Sequence, residues 1–271
     1  MASDAFKFSG EGAINYDAYL GPFLFEPYAR EISSRVPITD QLESVLEIAC
    51  GTGRVTNHLR KRLPSTVRLV ASDLNPDMLA VARNKNSNIG LIEFVEADIQ
   101  NFSFPDNTFD HVVCQFGMMF LPEKQRGFKE VYRVLKPGGS FVFNTWERTE
   151  NVEIFRLLLN ETILPFFKGE DTTRFLVPFS LYDATVLKSY LTVAGFNDAS
   201  IERVVLQGEA QNPMQIVNGF LLKHSLGKEV FDKSPAALAT MAKQLEHAIE
   251  KRFSSEPVVC ELAAFVGKGV K

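Results

Sequence analysis

Val45-Leu46-Glu47-Ile48-Ala49-Cys50-Gly51-Thr52-Gly53-Arg54-Val55-Thr56 reads as a buried strand, a glycine turn and the first turn of a helix. A short apolar run bounded by glycine suits a parallel strand covered on both faces. Past Gly53, the residues Val55, Leu59 and Leu63 recur at helical spacing, with Asn57, Arg60 and Lys61 between them. Glycine at 51 and 53 lets the backbone turn sharply and lets a ligand approach the main chain, where a side chain would intrude. The helix start behind them offers unpaired N–H groups.

Two nucleotide-type ligands could use such a turn. A dinucleotide turn reads G-x-G-x-x-G, its third glycine allowing close helix-to-strand packing around a pyrophosphate. Thr56 holds that third place here, and Glu47, inside the strand, suits a cation better than a pyrophosphate. The next strand, Val67 to Asp73, is followed by Asn75 as helix N-cap and Pro76 at the first helical position. Asp73 thus stands at a strand's carboxyl end, about 20 residues beyond the turn, where an acid can accept both ribose hydroxyls of a nucleoside. NAD enzymes place an acid there too, and a second capping residue is the plain alternative. Ile92 to Ile99 forms a further strand ending in a second acid, Asp98, with a polar stretch after it. Phe109 to Phe116 follows as a strand, then the loop Gly117 to Pro122. Ligands of open α/β sheets bind beyond the carboxyl ends of the strands, so Gln115 and Phe116 face the site, whereas His111, at the opposite end, is structural. Phe128 onward is a helix, then Lys136-Pro137-Gly138-Gly139 and an apolar strand. Pro137 is expected to end the helix, and the two glycines to supply the positive φ for entering a strand at once.

From Val45 to Phe143 these motifs resemble the class I S-adenosylmethionine (SAM)-dependent methyltransferases, in the methyltransferase type 11 or ubiquinone-methyltransferase-like branch. Motif I of that family reads hydrophobic-acidic-hydrophobic-G-x-G-x-G, with Ala49 standing for the first glycine, and helix-KPGG-strand is a further marker. The resemblance implies an α/β fold: a Rossmann-like doubly wound sheet of mostly parallel strands, with a C-terminal antiparallel strand and a helical cap. It implies SAM as cofactor and S-adenosylhomocysteine (SAH) as product. It carries cofactor contacts to Ala49, Gly51 and Gly53 in the turn, to Glu47 for the amino end of methionine, and to Asp73 for ribose, with Leu74 and Met78 beside it. Asp98 is then matched to the adenine amine, Ile99 to the base, and Gln115 and Phe116 to the reacting methyl or the methionine part. The segment ahead of the turn, Tyr16 to Arg30, is aromatic and helical up to Pro37; it either covers the sheet or forms a flap that closes Tyr16 or Tyr19 over the ligand.

The expected organisation is one domain over 1–271: a helical flap (1–40), a SAM-binding core (41–145), and last strands (146–271) with a cap inserted at about 146–180 and 208–255. Thr145 to Val177 reads as helical and aromatic, Leu181 to Ala194 as a helix closed by Gly195, and Ala199 to Leu206 as a strand. Pro213 to Leu226 and Pro235 to Phe253 read as two helices, and Pro257 to Gly267 as the final, antiparallel strand.

Composition bounds the chemistry. With 45% hydrophobic residues in 271, the chain can bury one sizeable core. A formal charge of −4 without a basic run argues against a nucleic-acid partner. The start, MASDAFKFSGEG, lacks an apolar signal core, and no run approaches the roughly 20 apolar residues of a membrane span, so a soluble cytoplasmic protein is expected. Cys50, Cys114 and Cys260 lie in apolar stretches without Cys-x-x-Cys spacing, which fits reduced thiols rather than disulfides or a metal site.

No committed general base emerges. His58 reads as a surface or packing residue, and Tyr16, Tyr19, His224 and His247 are the weak catalytic candidates. The fourth strand is not followed by N/D-P-P-Y/F, which disfavours the amino-methylating DNA and glutamine enzymes, and no Pro-Cys nucleophile is evident. The 23 phenylalanines, many in the expected cap, suggest an apolar or aromatic small-molecule acceptor, although such residues are usually core. A non-catalytic SAM- or SAH-binding regulatory or partner-binding protein is the alternative. A nicotinamide-dependent oxidoreductase would lack its third glycine and leave Asp98 unexplained. The oligomeric state, monomer or homodimer, stays open.

Overall fold

The computed structural model describes residues 10–253 and 256–271. Residues 1–9, which hold the start of the expected flap and most of the stretch read as lacking a signal core, lie outside the described residues, as do the last two residues of the expected cap. The described residues form a seven-stranded sheet: β1 (Ser44–Ile48), β2 (Arg68–Asp73), β3 (Glu93–Glu96), β4 (Phe109–Gln115), β5 (Leu135–Trp146), β6 (Asn197–Ala210) and β7 (Val258–Val270). Their order is β3-β2-β1-β4-β5-β7-β6, and β7 runs antiparallel to both of its neighbours. This is the expected Rossmann-like arrangement. All five residues of β1 are buried, and Leu46 lies in register with Val70 on one side and Val112 on the other. A strand covered on both faces can be apolar on both, hence Val45, Leu46 and Ile48 in succession, with Glu47 the buried exception. Strand order reverses between β1 and β4, which puts the glycine turn and Gln115 at the same switch point.

Glu11–Asn15, Tyr16–Phe25 and Glu26–Ser34 make one continuous N-terminal helix whose middle part has widened, π-type turns. It lies on the sheet through Tyr28, whose hydroxyl donates to the carbonyls of Leu262 (2.8 Å) and Val204 (3.0 Å) where β6 and β7 pair. Gly208 permits this approach, since a Cβ there would stand 2.7 Å from the Phe23 carbonyl oxygen. Asn75 caps the helix Pro76–Lys85 by accepting from the amides of Asp77 and Met78, as expected.

Several boundaries differ from the expectation. The helix Lys124–Val134 ends before Pro137, because Leu135 is already extended. Only Gly138 takes a positive φ (80°); Gly139 is needed for space, since a Cβ there would lie 2.7 Å from the Asp110 carbonyl. Thr145 and Trp146 belong to β5 rather than to the helical region, because β7 pairs with them. That partner also draws β6 out to Asn197–Ala210, well beyond what its own polar residues suggested. Pro213 to Leu226 is not one helix: Pro213–Val217 continues into the widened turns Asn218–Leu222, and Ser225–Lys233 starts anew with His224 as its N-cap. No described helix is long and apolar enough to cross a membrane.

Candidate active site

The chain leaves β1 with positive φ at three alternate residues: Ala49 (50°), Gly51 (53°) and Gly53 (78°). A non-glycine residue in this region costs roughly 1–2 kcal/mol. Ala49 is accommodated by Gly117 in the loop after β4, where an added Cβ would stand 2.5 Å from that of Ala49. Gly53 packs against the next helix, its missing Cβ only 2.5 Å from Asn86 Nδ2. At Gly51 a Cβ would meet no atom within 4 Å, so this glycine serves the turn and an open approach. Asp73 braces the loop: one carboxylate oxygen accepts from the Gly51 amide and the other from the Asn75 amide, both at 2.8 Å.

Glu47 is 1% exposed and accepts a 2.5 Å hydrogen bond from the Thr56 hydroxyl. Burial pushes its pKa from the usual 4.5 up to about 8, against the pull of Thr56. Thr56, the residue that spoils the dinucleotide motif, therefore supports the acid. Glu47 lines a recess of about 40 Å³ together with Tyr16, Phe25, Gly51, Arg54 and Gln115. Gln115 donates to the Phe25 carbonyl (3.2 Å), while its buried Oε1 has no hydrogen-bond partner among the described residues. An unmet acceptor and a carboxyl whose charge burial opposes together fit a cationic guest.

A second, apolar chamber of about 130 Å³ shares Tyr16 and Phe25 with this recess. Those two rings stack at 4.9 Å, and Phe116, at φ 51°, stacks on Trp146 at 3.8 Å in the chamber wall. Widened helical turns supply much of the lining: Leu20 and Leu24 from the N-terminal helix, Leu159 from Arg156–Ile163 and Phe220 from Asn218–Leu222. Such turns re-aim side chains and recur at functional sites.

The N-terminal helix is pinned over the recess by charges. Asp17 accepts from the Thr52 hydroxyl (2.7 Å) and from Lys85 (2.6 Å), and pairs with Arg54 at 3.1 Å. Arg54 reaches on to Glu26 (3.1 Å), which also meets His58 (2.9 Å). A side chain at Gly21 would collide with the Arg54 guanidinium. None of Asp17, Glu26 and Arg54 stood out in the sequence; the available signal was acids on the flap and bases on the helix after the turn.

The sequence candidates separate in space. Tyr16, Glu47, Ala49, Gly51 and Gln115 meet at the recess, and Phe116 faces the chamber. Asp73, Leu74, Met78, Asp98 and Ile99 do not line the recess; Asp73 ends β2 and the others follow the carboxyl ends of β2 and β3. Of these, Leu74 is 63% exposed, Met78 and Ile99 are buried, and Asp98 accepts from the Gln100 amide. Tyr19 faces a separate outer cleft with Met214 and Gln215, and the His247 side chain is 80% exposed on the outer surface beside Glu250, so neither reaches the site. His224 lines the chamber. His111 bonds to Ser140 within the sheet, as a structural residue would.

Residues 46–143 match the family model Methyltransf_11, a methyltransferase domain. One curated relative, the ubiquinone/menaquinone biosynthesis C-methyltransferase UbiE of Escherichia fergusonii, is 41% identical over 100 residues, covering 36% of this chain and 40% of that protein. The chain thus spans well under half the length of the curated relatives it matches. Among solved structures, phosphoethanolamine N-methyltransferase 2 of Haemonchus contortus in complex with SAM superposes with a TM-score of 0.61 at 17% identity, covering 99% of this chain and 58% of that one. The YcgJ protein of Bacillus subtilis gives 0.58 at 16%, covering 90% and 98%. Strand order, turn and family match agree: residues 46–143 match a methyltransferase domain and are set in the fold of solved SAM-dependent methyltransferases.

Proposed function

We propose that the chain binds SAM and transfers its methyl group to a small apolar or aromatic acceptor, leaving SAH. The observation that carries this reading is the pair of cavities sharing the Tyr16–Phe25 wall, a polar recess on one side and an apolar chamber on the other. Glu47 and Gln115 would hold the amino end of methionine, Asp73 the ribose, and Leu74, Met78, Asp98 and Ile99 the adenine side. The aromatic rings at the shared wall would favour a neighbouring sulfonium by roughly 0.5–2 kcal/mol. Bound SAM supplies an electrophilic methyl group; what remains for the protein is orientation and exclusion of water. Orientation alone is worth roughly 7–11 kcal/mol of a barrier, and the chamber is built to keep water out.

The UbiE name supports a ring-bearing acceptor and attack by carbon. The family match ends at residue 143, before Phe155, Leu159, Phe175 and Phe220 of the chamber, so the acceptor rests on the chamber itself. Three buried free thiols suit a cytosolic setting. The test is transfer of labelled methyl from SAM to a panel of phenols, carboxylic acids and amines, with Leu159→Trp as a chamber-filling control. Turnover lost in that variant with SAH binding kept supports the reading; SAH binding without turnover on any ring-bearing acceptor refutes it.

A further inference from the structure

Beside the apolar chamber lies a smaller cavity of about 20 Å³, which shares Leu159, Phe220 and Leu226 with it. Its far side is closed by Ile163 from Arg156–Ile163, Leu221 from Asn218–Leu222 and Leu245 from the helix Pro235–Phe253. Those three side chains are at most 3% exposed, whereas Leu159 and Phe220 in the shared wall are only partly buried. Both wall residues stand on widened helical turns, so the partition is made of the side chains with most freedom to turn aside. Among the described residues every side chain around the smaller cavity is apolar. A buried water needs roughly two to four polar partners, which these side chains do not offer. An alkyl group gains there instead, about fourfold in affinity for each methylene taken out of water.

Resting on the methyl-transfer reading for the chamber's role, we infer that the smaller cavity is a side pocket of the acceptor site, and that the acceptor is a single ring carrying a short, unbranched alkyl arm. The ring follows from the chamber, whose volume of about 130 Å³ is close to the roughly 150 Å³ of an apolar cavity that binds benzene. The length of the arm follows from the pocket. One water-sized group needs roughly 10–15 Å³ of such space, so about 20 Å³ takes one or two carbons. A further carbon spans the wall between Leu159 and Phe220. Leu245 ends the pocket, and an arm of more than about three carbons meets it at the cost of overpacking. A branch at the first carbon would press on the wall rather than pass it.

The test titrates the full chain with benzene, toluene, ethylbenzene, propylbenzene, butylbenzene and pentylbenzene by ligand-observed NMR, with cumene as the branched isomer of propylbenzene. Affinity is expected to rise about fourfold per carbon as far as propylbenzene and to stop rising beyond it. Cumene is expected to bind at least about fourfold more weakly than propylbenzene, which a merely greasy surface would not distinguish. Leu245→Ala removes the end of the pocket and should move the maximum about two to three carbons outward. Ile163→Val deletes a single methylene, and should move it the same way by about one carbon where the larger deletion does not fold. The wild-type series needs no variant and decides by itself. Affinity that is flat from benzene onward, that still climbs at pentylbenzene, that is equal for cumene and propylbenzene, or that is absent for every probe overturns the inference, as does a maximum that stays in place in a folded variant. SAH titration of the same samples separates the two claims. A maximum at propylbenzene without SAH binding removes the methyl-transfer reading and leaves the pocket; SAH binding without a maximum does the reverse.

Discussion

Glu47 is the residue whose chemistry can be read most sharply in solution. Its pKa of about 8 in the ligand-free protein means that a cation in the recess must first displace a proton. If occupancy pulls that pKa below about 6, apparent affinity is weakened about 100-fold at pH 6, about 10-fold at pH 7 and about twofold at pH 8, relative to its plateau. Binding at pH 7 then releases about 0.9 proton, measurable by calorimetry of SAH in buffers of different ionisation enthalpy. Glu47→Gln keeps the shape and the contact to Thr56 but cannot titrate, so any pH dependence left in it belongs to the ligand's own amino group. The same shift sets the sign for stability. A carboxyl whose folded pKa is raised contributes fully below its unfolded value of about 4.5 and loses that contribution as pH rises through about 8. The ligand-free wild type should therefore lose a few kcal/mol between pH 5 and 8 that Glu47→Gln retains, by urea unfolding. Identical pH profiles of SAH affinity in the two proteins, or no proton release, would refute the placement of a cation at Glu47.

Other consequences can be checked separately. Ala49→Gly relieves a positive φ and is expected to stabilise the protein by about 0.5–1 kcal/mol in urea. Gly117→Ala should cost about 1–3 kcal/mol, part of it recovered in the double variant with Ala49→Gly; strict additivity would show that the two loops do not press on each other. Asp17→Ala removes contacts to Thr52, Lys85 and Arg54, so stability should fall by about 1–3 kcal/mol and amide exchange across 16–25 should rise; unchanged exchange would mean that these charges do not pin the helix. Asp73→Ala releases the Gly51 and Asn75 amides and should weaken SAH by roughly 10–100-fold in calorimetry, whereas unaltered binding would remove Asp73 from the site.

The parts of the fold that were legible were those governed by short-range pattern. An apolar run before Gly51, an asparagine before Pro76 and Gly195 after an amphipathic segment each name their local structure, because capping and φ are set within a few residues. Where a partner far along the chain decides, the reading failed. The length of β6 depends on β7 about 60 residues away, and the charges pinning the N-terminal helix join Asp17 and Glu26 to Arg54, His58 and Lys85. The KPGG corner misled differently: proline and two glycines do mark the boundary, but the strand begins ahead of them at Leu135. In the site, Glu47 and Gln115 came from motif and topology, and Phe25 and Trp146 were missed as a wall because aromatic residues at helical spacing look the same in core and cavity.

The most direct test of the account is isothermal calorimetry of the folded full chain with SAM, SAH and NADH in turn. Saturable one-to-one binding of SAM and SAH without binding of NADH is the predicted result. A folded sample that binds neither SAM nor SAH, or that binds NADH instead, would contradict it.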